Sequence, residues 1–290
     1  MTRAAVLFAI SLALSLAAGA AHAATYASPD AAAAALAAAV SKNDPTAIEK
    51  VLGPGSRKLV VSGDAVADKN GRASFIDSYS AKHSIEQQGD TATLVIGDSD
   101  FPFPIPLKRE GASWRFDVRA GAHEILARRI GRDELNAIEV CRAVVDAERD
   151  YAAQFAHYAD KFVSDPGKKN GLYWPASEGG SASPLGPLVT EARAQGYGGH
   201  HTPSHGYFFK LLTGQGPHAP DGARDYIVKG RMIGGFAVLA YPATWGNSGV
   251  MSFIVNQDGI VAERNLGRDT KSIAASITRY DPDPDWKPVQ

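Results

Sequence analysis

Three histidines, His200, His201 and His205, fall within one Gly-rich stretch. Imidazoles ligate zinc and copper, and a loop can wrap a metal ion. Zinc held there would point to a metal-assisted hydrolase. His218 and Asp221 are near enough in sequence to join such a site. The helical pairing of H-E-x-x-H is absent, because Gly198-Gly199 and Pro203 preclude a helix. The competing reading is a solvated loop, with His205 packed at the start of a strand. A second group is Arg128-Arg129, which suits bidentate contacts to carboxylate or phosphate. Its competitors are the neighbouring acids Glu124, Asp133 and Glu134, which would pair with it within the chain. A third group is Tyr173, Trp174, Tyr197 and Tyr207, set among glycines and prolines. Aromatic faces in a loop-built concavity would take a sugar or a peptide. The alternative is that these rings pin irregular backbone onto a sheet.

Covalent catalysis has little support. No G-x-S-x-G surrounds Ser181, Ser183 or Ser248. Gly214 and Gly216 lack a Rossmann context. Cys141 is the single cysteine, so no internal disulfide forms. It sits at the apolar spacing of a helix, where a thiol is buried and inert. No catalytic residue is assigned, and a non-enzymatic role is favoured.

The elements that must position these groups begin with a capped helix. Ser28-Pro29-Asp30 is a start signal, and the helix runs to Val40. Asp44-Pro45 repeats the device for a helix to Leu52, which Gly53-Pro54 stops. A third helix is expected over 72–82, with Asp64, Asp68 and Asn70 before it as turn residues. Thr91–Gly97 and Trp114–Val118 read as strands, whereas the prolines of Phe101–Pro106 bar a central strand. Apolar residues then recur at a 3.6 period from Ala120 to about Val163, with a break or kink expected at Gly131. A short helix is expected over 186–195. Strands are expected over 205–212, 225–231, 235–241 and 249–256. Asn256–Gly259 forms a hairpin turn to Ile260–Arg264, and a last helix runs from Asp269-Thr270 to Tyr280.

This is an α+β pattern in two modules, 24–125 and 126–290. The first resembles the nuclear-transport-factor-2-like (NTF2-like) superfamily, which implies helices laid on a cone-shaped antiparallel sheet. The second, a long helix and then an antiparallel sheet, resembles the globular part of type IV pilins.

Residues 1–23 have the layout of a cleavable signal peptide. Arg3 precedes the uncharged run Ala4–Ala18, and Ala21-His22-Ala23 is a small-x-small site. The run is too short to span a bilayer, which needs roughly 20 residues. Cleavage after Ala23 is expected, and with it a periplasmic or secreted location. No membrane span follows. The chain is nearly neutral at −1, and Arg3 is the leader's one charge. That argues against a nucleic-acid partner held by charge.

Several words of the sequence occur together in one exported bacterial family. They include Phe101–Leu107, Trp114–Asp117, Arg128–Gly131, Gly171–Pro175, Ser183–Gly186, His205–Tyr207 and Gly234–Ala237 with Tyr241-Pro242. On them the chain resembles the family called domain of unknown function 2950, over nearly all the mature sequence. The resemblance implies an exported protein and supplies no catalytic residue. The expectation is a soluble envelope protein that binds a small ligand or an envelope partner, or that assembles with one. The alternative is the zinc hydrolase centred on His200, His201 and His205.

Overall fold

The computed structural model describes residues 24–176, 181–197 and 202–289. The leader, His200 and His201 lie outside the described residues. The first helix, α1 (Pro29–Ser41), starts where the Ser28 hydroxyl accepts from the Ala31 N–H. In α2 (Pro45–Leu52) the Asp44 carboxylate caps Thr46, and Gly53 closes the helix at φ 97°. A short α3 (Arg57–Val60) leads to α4 (Ala65–Ala81). The sequence pattern places this helix too late. Asp64 is its N-cap, accepting from Val66 and Ala67, and Asp68 and Asn70 lie inside it. Asp signals a cap as readily as a turn, and Gly71 disguised the helix interior.

A hairpin follows, β1 (His83–Gln88) and β2 (Thr91–Ile96). The two-residue β3 (Phe101–Pro102) pairs only with the end of β2. Then come β4 (Leu107–Glu110) and β5 (Ser113–Phe116). The antiparallel order is β1-β2-β4-β5, with β3 off that path. The prolines keep 101–106 out of the sheet centre, because each removes a ladder donor. Leu36, Ile48, Leu52, Leu107, Trp114 and Phe116 form the buried core between helices and sheet.

The central element is α5 (Val118–Phe155), 38 residues long and about 57 Å at 1.5 Å per residue. Asp117 caps it on Ala120, and Ala156 ends it in the left-handed region at φ 57°. It therefore stops short of Val163. It also passes through Gly131 without a break. Packing on both sides of that glycine outweighs its local cost. Residues 118–125 and 126–155 share this one helix, so the boundary expected at 125/126 falls inside it. Val118 and Ile125 pack in the N-terminal core. Ile138, Cys141, Val144, Val145 and Tyr151 pack in the C-terminal one. Cys141 is fully buried, and burial pushes its thiol up to about 12, so it stays protonated.

Two glycines of α5 make opposite predictions. A Cβ at Gly121 would overlap the Pro104 carbonyl oxygen and the Ile105 backbone. Gly121→Ala is expected to destabilise by about 1–3 kcal/mol through overpacking. Gly131 is exposed and has open space around it. Gly131→Ala is expected to stabilise by about 1 kcal/mol, the helix propensity difference. Chemical denaturation of both variants checks the pair. The same sign for both would contradict the packing described.

The remainder comprises α6 (Gly186–Ala194), β6 (Tyr207–Leu212), β7 (Gly214–Gln215), β8 (Arg224–Asp225), β9 (Ile227–Val228), β10 (Arg231–Met232), β11 (Ala237–Pro242), β12 (Ser252–Asn256), β13 (Ala262–Arg264), α7 (Thr270–Ser276) and β14 (Lys287–Pro288). The main sheet has the antiparallel order β14-β13-β12-β11-β6. One face packs on α5 through β11 and β12. The single strand expected over 225–231 is three short ones. β9 and β10 pair across Lys229-Gly230, whose φ angles of 50° and 77° match a tight hairpin turn. The strand expected from 249 starts at Ser252, because the Val250 and Met251 N–H groups donate to Glu134 Oε1 in place of a neighbouring strand. The last helix ends at Ser276, and Tyr280 instead hydrogen-bonds to Gly214 and Gly216. Among the described residues no helix is long and apolar enough to cross a membrane.

Candidate functional site: a cavity where the two modules meet

The α5 helix carries Ile125, Arg128, Arg129 and Arg132 at spacings of three and four, which places them on one face. That face looks into a cavity of about 840 Å³. Its apolar part is built from both helices and sheet: Leu36 and Val40 of α1, Ile48 and Leu52 of α2, Phe75 of α4, Ile96 of β2, and Phe103 and Ile105. Its polar part carries Arg72, Arg128, Arg129 and Arg132, against the carboxylates Asp68 and Asp133. Tyr197 and His205 reach it from the C-terminal module.

The arginines are held differently. Arg129 is a cross-link. It donates to the Lys58 and Leu59 carbonyl oxygens and to Asn247 Oδ1 at 2.6–2.8 Å. Asn247 in turn donates to the Val61 carbonyl. Burial lowers the Arg129 pKa, opposed by Asp68 and Asp133. Arg128 pairs through Nε with Glu124 at 2.6 Å, the intramolecular pairing weighed from the sequence, and its guanidinium lies over the Phe101 ring. Arg132 donates to Asp133 through Nε and Nη2. Arg72 holds Asn43 Oδ1 and the Val60 carbonyl. The side chains of Arg128 and Arg132 are 58% and 63% exposed, so the cationic end of the cavity faces solvent.

Two buried carboxylates organise the junction. Asp64 caps α4 with Oδ1 and receives the Tyr197 hydroxyl and the Gly206 N–H on Oδ2, both at 2.9 Å. Burial, followed by this bond to Asp64, raises the Tyr197 pKa. Burial lifts Asp133 to about 6, with Arg132 and Arg129 pulling the other way. His205 adopts φ 48°, packs its ring 5.0 Å from that of Tyr197, and is lowered in pKa by burial. Burial thus favours its neutral form, and its ring is packed.

The other groups fall elsewhere. Tyr173, Trp174 and Tyr207 are buried in the C-terminal core, so the structure does not bring the four aromatic rings into one concavity. Tyr207 donates to the Met251 carbonyl and Trp174 to that of Ser181. Tyr197 alone of the four lines the cavity, together with Arg128 and Arg129. His218 pairs with Asp281 and Asp221 with Arg224, so neither joins His205. Among the described residues no group of three His, Cys, Asp or Glu is placed to hold a metal ion. Arg72, Arg132 and Asp64 were missed in the sequence. The recurrence of arginine at 128, 129 and 132 was the available signal for Arg132.

The fold is thus an α+β protein with one long helix shared by two cores, and a cavity beside that helix. The chain belongs to the family described as protein of unknown function DUF2950, matched over residues 23–289. Neither curated proteins nor solved structures give a match.

Proposed function

We propose that this chain is an exported binding protein that takes a small ligand into the cavity and performs no reaction on it. The observation that carries this reading is the cavity itself. Its volume lies within the roughly 300–1,000 Å³ of small-molecule sites, and its apolar interior with a few convergent polar groups is their usual make-up. Asp64 and Arg129, ionisable groups at the junction, are engaged in hydrogen bonds that hold the two cores together, and Asp133 is held by the adjacent Arg132. This favours a scaffold for binding over a catalytic site. The signal-like leader at 1–23 supports export.

The test uses the processed chain and N-phenyl-1-naphthylamine, an uncharged apolar fluorophore. Saturable binding at one site per chain is expected. It should be abolished by Ile125→Trp and by Ser78→Trp, which fill the cavity from α5 and from α4, with circular dichroism unchanged. Absence of binding, or binding that both folded variants retain, would overturn the reading.

A further inference from the structure

We infer that the ligand is an anionic amphiphile, with a carboxylate or phosphate head at Arg72, Arg128 and Arg132 and an apolar body along Phe75, Phe103 and Ile125. This rests on the cavity being a binding site and adds the class of molecule it takes. The argument starts from donors that the protein leaves open. Arg128 uses only Nε on Glu124, so both its terminal nitrogens lack a protein acceptor among the described residues. Arg132 turns Nε and Nη2 to Asp133 and leaves Nη1 open. Arg72 uses Nε and Nη1 and leaves Nη2 open. Three guanidinium groups therefore present N–H donors on one cavity that no described residue fills, and a planar fork matches a carboxylate or phosphate.

Charge points the same way. Four arginines line the cavity against two aspartates. Both oxygens of Asp68 already accept from the Ser62 N–H, and Asp133 holds Arg132. A neutral sugar would call for acceptors as well as donors, and this rim offers mostly donors. The remaining wall is apolar. Phe75, Phe103 and Ile125 line it and are half-buried, so they keep apolar surface for a ligand to cover. A head that is charged and a body that is apolar satisfy both ends at once. The exposed Arg128 and Arg132 set the head towards solvent, which spares the charge full desolvation.

Calorimetric titration of the processed chain with dodecanoate, dodecyl phosphate, dodecanol and dodecyltrimethylammonium tests this. At least one of the two anions should bind tenfold or more tighter than dodecanol, and the cation weakest. Which anion is preferred identifies the head. Arg128→Gln should reduce the anion's affinity about tenfold and leave dodecanol unchanged, as loss of one charge-assisted contact predicts. Arg128 is exposed, so this variant folds even if Arg132→Gln, which strips Asp133 of its partner, does not. Equal affinity for anions and dodecanol would overturn the headgroup assignment and leave the cavity reading intact. No binding of any of the four would overturn both. An unchanged anion affinity in Arg128→Gln would overturn the arginine assignment.

Discussion

Glu148→Gln is expected to leave stability nearly unchanged at pH 5 and to raise it by several kcal/mol at pH 8.5. Glu148 is fully buried in α5. Its Oε2 accepts from the Ala159 N–H at 2.8 Å, and its Oε1 has no partner among the described residues. Burial lifts its pKa to about 8, Ala159 opposes the rise, and Asp160 adds to it. The folded protein therefore keeps this carboxyl protonated where the unfolded chain, at its ordinary 4.5, has released the proton. Below about pH 4.5 both states hold the proton and nothing is lost. Between 4.5 and 8 the unfolded state binds fewer protons, so stability falls by about 1.4 kcal/mol per pH unit from this group. Above 8 the loss levels off, at about 4–5 kcal/mol. Gln keeps the acceptor for Ala159 and removes the titration. Asp133, raised to about 6, slopes the same way over a narrower window, and the difference between variant and parent cancels it. Urea unfolding from pH 5 to 9 measures the difference. Parallel curves would show that Glu148 titrates normally.

Asp64→Ala is expected to cost about 3–7 kcal/mol. The variant loses a helix cap, worth about 1 kcal/mol, on Val66 and Ala67. It also strands the Tyr197 hydroxyl and the Gly206 N–H, at about 1–3 kcal/mol for each buried donor. Asp64→Asn keeps the cap oxygen but turns an NH₂ towards two donors, so it should recover only the cap fraction. Tyr197→Phe removes one donor together with its need for a partner, and should cost less than Asp64→Ala. Denaturant titration of the three variants gives the order. A loss under 1 kcal/mol for Asp64→Ala would mean that the junction does not depend on this carboxylate.

What could be read from the chain follows from how local each signal is. Ser28-Pro29, Asp44-Pro45 and Asn256–Gly259 act within a few residues, and the structure places a helix start or turn at each. The proline run at 101–106 stayed out of the sheet centre for the same local reason. Errors came where distant packing decides. Gly131 looks like a breaker in isolation, yet α5 runs through it because both flanks are anchored in cores. The cavity was only partly legible. Arg128, Arg129 and Tyr197 were singled out, but as members of separate groups. Asp64 meets Tyr197 and Gly206 across separations of 133 and 142 residues, and no short-range pattern reports such a contact. Tyr173, Trp174 and Tyr207 drew attention by sequence density alone, and density does not separate a binding surface from a core.

The length of α5 bears on how the molecule melts. A helix rooted in both cores makes each core a boundary condition for the other. Severing the chain near residue 125 would leave two frayed stumps in place of two folding units. Unfolding should accordingly appear as one calorimetric transition. Whatever fills the cavity would then slow amide exchange in β11 and β12 as well, although neither strand lines it.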